Sequence, residues 1–419
     1  MKIKKIFNYK NTALLLVIIF FALHDISSPA DSRYTPVFFN TAHQNLASVF
    51  FAESITAKQL QQKYQTKSLT SQKIRILIVP GHEPDFGGAE YRNIKERNIN
   101  VVLATYLEDF LKTDTHYETI MARDEQKWNP VLEKYFTENA TATLSFLETK
   151  KNEMSQLIQA GLVTEIIDGA PHKEAPTDVA RRLYGINKWA NESNIDIVLH
   201  LHLNDYPRED VTIPGDYSGF AIYVPESQYS NSTTTRAIAQ NIFQRLSKFN
   251  AISNFEKENN GIIEDQELIA MGRYNTSDAP SMLIEYGYIY ESQFTKPAVQ
   301  NIVLKNTAFQ IFLGIRDFFK KNTSATISQN NTMLPHRWKK DMTKNNKNTS
   351  DALSLQTAFT LEGIYPPDQK TKNECPISGV FGHCTTESLQ LFQSKYQITG
   401  EDNIVGTTTR KLLNEKYAQ

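Results

Sequence analysis

Four residues far apart in the sequence have the types needed to hydrolyse an amide with a metal ion: His82, Glu96, His202 and Glu285. Two imidazoles and one carboxylate bind a zinc ion and leave a position open for water. Zinc lowers the pKa of that water to near neutrality and polarises a substrate carbonyl. A further carboxylate beside the water takes its proton and passes it to a leaving amine. On this reading His82, Glu96 and His202 hold one Zn2+, and Glu285 is the proton shuttle. Side chains alternate along a strand, so His200, His202 and Asn204 are expected on one face. His200 either competes with His202 as a ligand or supports it from behind. Asn204 and Glu83 are the remaining candidates to brace the ligands or touch the substrate.

These residues sit where strands run out into loops. Ile74 to Val79 is an aliphatic run broken only by Arg75, and it ends at Pro80-Gly81 just before His82. Glu96 opens an amphipathic helix whose apolar positions are Ile99, Val102, Leu103, Tyr106, Leu107 and Phe110. Further buried strands are expected over Ile195–Leu203, Gly219–Val224 and Ser281–Tyr286, with helices near 234–249 and 297–320. Strands alternating with helices predict an α/β fold, a mostly parallel sheet flanked by helices. Open sheets of that kind place ligands at the carboxyl ends of their strands, where the candidates lie. Residues 124–180 are too long for a bare connection, and Val131–Phe136 and Ala142–Ala160 have helical character, with Gly161 as a stop. A helical insertion is therefore expected there.

Taken singly, each candidate has an ordinary structural explanation: a hydrogen-bonded histidine, or a carboxylate at a helix N-terminus. Glu285 is harder to dismiss, because it interrupts an apolar run expected to be buried. Taken together they resemble a known family. Ile76-Leu77-Ile78-Val79-Pro80-Gly81-His82, then Gly87-Gly88-Ala89, then Glu96-Arg97-Asn98-Ile99-Asn100, is similar to the opening of the zinc-dependent N-acetylmuramoyl-L-alanine amidases. Asp196 to Asn204 resembles their later strand, with His200 at a position usually Ser and His202 at the metal-ligand position. Pro280 to Gly287 resembles their Pro-x-x-Leu-x-Glu-x-Gly segment, whose catalytic Glu matches Glu285. The similarity spans about 73–320. It implies a hydrolase that uses zinc to cut the amide between the lactyl group of N-acetylmuramic acid and L-alanine. There are departures: Glu83 stands where Gly often follows the motif His, which would narrow access to the metal. No helix arginine aligns well at Arg181 or Arg182. The insertion exceeds the family minimum and is a candidate gate or docking site for a protein activator. The rival expectations are a zinc carboxypeptidase acting on the peptide stem and an inactive wall-binding protein.

The rest of the chain sets the context. A length of 419 residues predicts two or three domains. Lys+Arg 45 against Asp+Glu 46 gives a net charge of -1, so no basic excess recruits nucleic acid. A mean hydropathy of -0.44 excludes a polytopic membrane protein. Lys2, Lys4, Lys5 and Lys10 precede the apolar run Ala13–Leu23, and Ser28-Pro29-Ala30 follows, so residues 1–30 read as a signal peptide or an uncleaved anchor. Export to the periplasm, cell envelope or exterior is expected. Residues 31–72 carry no clear motif. Residues 321–350, rich in Asn, Thr, Ser and Lys, read as a flexible linker. Within 351–419 an apolar-Gly-x-x-Thr pattern occurs twice, at Phe381-Gly382 and Val405-Gly406, placing a turn before each of two helices. That stretch resembles a small three-helix peptidoglycan-binding domain, which implies peptidoglycan, glycan strand and stem peptide together, as partner. Cys375 and Cys384, the only two cysteines, are expected to form a local disulfide.

Overall fold

A computed structural model describes residues 54–66, 72–166, 169–206, 208, 210–320, 330–344 and 349–419. The expected signal or anchor segment, and most of 31–72, lie outside the described residues. Among the described residues no helix is long and apolar enough to cross a membrane.

Helix α1 (Ala57–Gln65) begins at a capping box in which Thr56 and Gln59 satisfy each other's backbone. It buries Leu60 and Tyr64 against the main core. Strand β1 (Ile74–Pro80) leads through a two-stranded hairpin, β2 (Glu90–Tyr91) and β3 (Ile94–Lys95), into α2 (Glu96–Lys112). Next come β4 (Tyr117–Met121), α3 (Pro130–Glu138), α4 (Ala140–Gln159) and α5 (Thr177–Glu192). The carboxyl half of the domain holds β5 (Ile197–Asn204), β6 (Ala221–Pro225), α6 (Ser232–Phe249), β7 (Ile262–Asp265) and β8 (Ser281–Tyr288). The short α7 (Ser292–Thr295) and the long α8 (Pro297–Phe319) close it.

The strands form one six-stranded sheet in the order β4-β1-β5-β8-β6-β7. β4, β1, β5 and β8 run parallel; β6 pairs antiparallel with β8, and β7 pairs parallel with β6. The sheet is thus mixed and mostly parallel, flanked by helices on both faces. One face (Ile76, Ile78, Leu199, Leu201, Ile284) packs on α2, α6 and α8 in the largest core. The other face (Leu77, Val79, Val198) packs on α3 and α5. β4 and β7, absent from the sequence reading, are the two edge strands. The insertion is helical as expected, and Gly161 follows α4 at φ +69. Its expected boundary of 180 runs one turn into α5.

The C-terminal helices are α9 (Thr349–Leu361), α10 (His383–Lys395) and α11 (Thr407–Tyr417). They enclose a separate core around Leu355, Phe359, Leu389, Phe392 and Leu413. Cys375 and Cys384 form a disulfide there. The expected flexible linker is corrected by residues 330–344, which are packed. Leu334, Trp338 and Met342 enter the C-terminal core, and Trp338 is only 1% exposed. These three apolar residues, spaced by four, drive the docking of an otherwise polar stretch. The two lobes also touch directly: Lys372 Nζ donates to Ser247 O and Lys248 O, and Asn373 Nδ2 donates to Ile252 O at 3.0 Å.

Candidate metal centre and cleft

β1, β5 and β8 lie side by side and parallel, so their carboxyl ends open on one edge of the sheet. His82 leaves β1 two residues beyond Pro80 with φ +70, a left-handed turn rare for a side chain of this size. Gly81 before it has no alternative: a Cβ there would lie 2.3 Å from the His202 ring. Gly88, at φ +86, similarly passes against His82 and Glu96. A buried guanidinium braces this loop from below. Arg123 Nε donates to Pro80 O at 3.0 Å, and Nη2 donates to Gly81 O and to Arg97 O. Burial lowers its pKa to about 10, so it stays charged at neutral pH.

His82, Glu96 and His202 converge, with their ligand atoms all within 4.8 Å of one another. Glu96, 3% exposed, accepts from Ala89 N–H at 2.8 Å, Leu203 N–H at 3.1 Å and Asn100 Nδ2 at 3.2 Å. Asn100 Oδ1 in turn accepts from the Tyr286 hydroxyl at 2.8 Å. His202 Nδ1 lies 3.1 Å from Glu96 Oε1. His82 Nε2 lies 2.8 Å from Glu96 Oε2, yet it is buried and makes no hydrogen bond there. Nearness without hydrogen-bond alignment leaves that nitrogen free to share a cation with the carboxylate, which fits a metal site. Burial alone would raise the Glu96 carboxyl, but the two imidazoles outweigh it and hold it well below its usual range. His202 is lowered by burial, opposed by its contact with Glu96.

Glu285 is directly opposite His202 in the β5–β8 register and opposite Ala221 on β6. Its Oε2 is buried with no hydrogen-bond partner. Burial, then the charges of Glu96 and Glu258, push its carboxyl well above the ordinary range.

The supporting candidates separate. His200 is 1% exposed, one step deeper on β5 between Val79 and Leu283, and it is outside the three converging residues. Burial and the neighbouring His202 lower it to about 3, so it is neutral, and its Nε2 has no partner. Glu83 does not project over the metal position. Its carboxylate is taken up by Trp128 Nε1 at 2.9 Å and by Arg182 Nε at 2.8 Å. Arg182, unaligned in the sequence reading, thereby ties α5 to the His82 loop. Asn204 Nδ2 donates to Glu258 Oε1 at 2.7 Å.

Three features escape the sequence reading: Arg123, Glu258 and a strap formed by the end of the insertion. After α4, Thr164 exchanges hydrogen bonds with the Gln228 carboxamide. Ala170 is then buried with Ala221, Tyr223 and Leu283, beside the strand that carries Glu285. His172 Nε2 meets Asp265 Oδ2 at 2.8 Å. The one sequence signal for this strap is the length of the insertion.

The carboxyl ends of β1 and β5 and the start of α2 thus bring one carboxylate among imidazoles, with a second, unpaired carboxylate oxygen on the neighbouring β8, a side-chain set suited to hydrolysis. Residues 76–317 match the N-acetylmuramoyl-L-alanine amidase family, and the chain belongs to it. It therefore hydrolyses the amide that joins N-acetylmuramic acid to L-alanine in peptidoglycan. It is 24% identical over 259 residues to a protein of Buchnera aphidicola subsp. Acyrthosiphon pisum named "Putative N-acetylmuramoyl-L-alanine amidase", covering 60% of this chain and 98% of that one. Among solved structures it is similar to the CwlD amidase of Clostridioides difficile, solved in complex with the GerS lipoprotein. That likeness has 15% identity, 59% and 98% coverage and a TM-score of 0.38. The Ami1 amidase of Mycobacterium abscessus is similar at 14% identity, 59% and 100% coverage and a TM-score of 0.39.

Proposed function

We propose that this amidase is exported, holds one Zn2+ on His82, Glu96 and His202, and uses Glu285 as its proton shuttle. The carrying observation is the convergence of three ligand atoms within 4.8 Å beside a carboxylate oxygen that is buried and unpaired. Zn2+ bound there would polarise the lactyl carbonyl and acidify the attacking water. Glu285, opposite His202 in register, stands where a carboxylate can take a proton from that water and deliver it to the departing L-alanine amine. Its raised pKa makes the carboxylate a stronger base toward that water, and the far more basic departing amine can still take the proton from it. Asn100 and the backbone N–H groups of Ala89 and Leu203 hold Glu96 in one orientation, so the ligand set is pre-formed. Arg123 keeps the His82 turn in place through the carbonyls it collects.

The lysine-flanked apolar run near the N-terminus supports export. The C-terminal lobe is the proposed wall-binding module, and its direct contacts with the catalytic lobe make it a fixed platform rather than a ball on a tether. The end of the insertion, where Ala170 packs with Ala221, Tyr223 and Leu283, is the proposed gate and the surface through which a protein activator would act.

The test uses protein from about residue 31 onward with purified peptidoglycan, with and without chelator, and mass spectrometry of the soluble products. Intact stem peptides with a free L-alanine amine, lost on chelation and restored by zinc, are expected. Chelator-insensitive release would end the zinc assignment. Released terminal amino acids would indicate a carboxypeptidase, and wall binding without products an inactive binding protein.

A further inference from the structure

Asn204 ends β5 two residues beyond His202, and its carboxamide can sit only one way round. Nδ2 donates to Glu258 Oε1 at 2.7 Å. Glu258 is only 2% exposed. Its oxygens also accept from the hydroxyls of Ser253 at 2.6 Å, Tyr223 at 2.7 Å and Tyr288 at 3.0 Å. A carboxylate ringed by four donors acts as an acceptor only, so the amide NH2 of Asn204 must face it. Asn204 Oδ1 is then directed away from Glu258. The backbone of Asn204 is fixed as well, since its carbonyl accepts from Ile289 N–H at 3.0 Å.

The strand geometry sets Asn204 apart from its neighbours. His202 is opposite Glu285, but Asn204 is opposite Tyr288, so β8 carries one extra residue between these two pairs. Such a bulge turns the strand and re-aims the side chains beside it. Asn204 is half-buried, whereas Glu258 beneath it is closed off. A buried carboxylate that accepts from three hydroxyls and from one half-exposed carboxamide fixes the orientation of that carboxamide.

We propose that Glu258 is a positioning residue, holding Asn204 Oδ1 toward the cleft as an acceptor for an amide N–H of the bound muramoyl peptide. This rests on the cleft reading given under the proposed function. Two N–H groups of the substrate have the required chemistry: the 2-acetamido N–H of muramic acid, and the peptide N–H that follows L-alanine. Either would be read without taking part in bond cleavage, so the contact serves recognition and its loss falls on KM rather than on kcat.

The experiment compares three soluble substrates at zinc saturation: the parent muramoyl peptide, its N-deacetylated form, and a depsipeptide in which an ester replaces the peptide bond after L-alanine. Wild type is expected to favour the parent over one of the two analogues by about fivefold in kcat/KM, the usual weight of one hydrogen bond. The analogue that suffers identifies the donor. Asn204→Ala is expected to lose that preference, with KM for the parent rising to the level of the analogue and kcat unchanged. Glu258→Met should lose the same preference and Glu258→Gln should retain most of it, because the glutamine carbonyl still accepts from Asn204. The double variant Asn204→Ala/Glu258→Met should show the same KM for the parent as Asn204→Ala alone, and a further rise would mean that Glu258 acts other than through Asn204. Wild type with equal kcat/KM on all three substrates would overturn the inference, as would Asn204→Ala with its preference intact. Asn204 is half-exposed, so its variant decides the matter even if Glu258→Met fails to fold. A wild type that cleaves none of the three would instead overturn the cleft reading itself.

Discussion

On the β1 side of the cleft, Glu96 accepts from two backbone N–H groups and a carboxamide, with two imidazoles alongside. On the β8 side, half-buried Glu285 has a carboxylate oxygen that is buried and has no partner. The two carboxylates are close enough for each to influence the other, yet one is driven well below its ordinary pKa and the other well above it. Environment sets the two apart: a carboxylate held ionised suits a cation, and one whose pKa is raised is the stronger base. The sheet register makes the division possible. It puts His202 and Glu285 opposite each other, while the donors from Ala89, Asn100 and Leu203 all go to Glu96.

The sharpest way to break this comparison is to remove each carboxylate in turn. Glu96→Ala should abolish both metal uptake and turnover. It should also destabilise the metal-free protein by about 1–3 kcal/mol, because buried N–H groups lose their acceptor. Glu285→Gln should lower kcat by about 10²–10⁴ while metal stoichiometry stays at wild-type level. Steady-state kinetics and metal analysis on the same preparations separate the two. Turnover retained in Glu285→Gln, or metal lost with it, would erase the distinction.

The pH dependence of metal-free stability sharpens the contrast, since the two variants should move it in opposite directions. Glu96 has a folded pKa below the ordinary 4.5, so its stabilisation is present above that value and is lost as pH falls. The deficit of Glu96→Ala should therefore narrow in acid. Glu285 has a folded pKa above 4.5, so both states are protonated in acid and ionisation favours unfolding as pH rises. Glu285→Gln should match wild type in acid and melt higher than wild type at neutral pH. Thermal melts at about pH 4 and about pH 7 test both signs.

A smaller effect is expected at the strap. His172→Ala removes the contact with Asp265 and frees the segment beside Ala221 and Tyr223. Turnover of polymeric peptidoglycan should rise by about fivefold, the equivalent of about 1 kcal/mol, with a lesser change on a short muramoyl peptide. Equal rates for variant and wild type on both substrates would remove the gate.

The converging cluster is legible in the sequence because His82 and His202, like Glu285, sit at or near the ends of apolar runs that mark strand ends, and Glu96 opens an amphipathic helix. His82, His202 and Glu285 carry that signature individually. Arg123 and Glu258 do not, because their partners are carbonyls and hydroxyls contributed by distant segments, and nothing in their own neighbourhoods records this. β4 (Tyr117–Met121) escapes because an edge strand mixes exposed and buried positions without a clean alternation. The opposite error arises at 330–344, where average polarity conceals three apolar residues spaced by four that seat the segment in the C-terminal core. Alternation places His200 on the face of His202, and one step along the strand sinks it beneath the site, outside the three converging residues.

Glu362 in the C-terminal lobe tests whether a donor-rich setting by itself explains the behaviour of Glu96. It accepts from Lys395 Nζ at 2.6 Å, Tyr417 OH at 2.6 Å and Tyr396 OH at 2.8 Å, with Lys416 Nζ at 3.1 Å. Burial would raise its carboxyl, but these partners outweigh burial and hold it down to about 2. Its folded pKa lies below the ordinary 4.5, so its stabilisation is present above 4.5 and disappears as pH falls toward about 2. Glu362→Gln should cost about 1 kcal/mol at neutral pH, a modest figure because solvent screens the lysine partners. The sign matches that of Glu96, and the deficit should likewise fade in acid. Here, however, no imidazole lies among the partners and no unpaired carboxylate stands opposite, so hydrolysis of a soluble muramoyl peptide should keep its wild-type rate. A fall in that rate would mean that the C-terminal lobe shapes the cleft through its contacts at Ser247 and Ile252, and that donor-rich carboxylates in the two lobes are not independent.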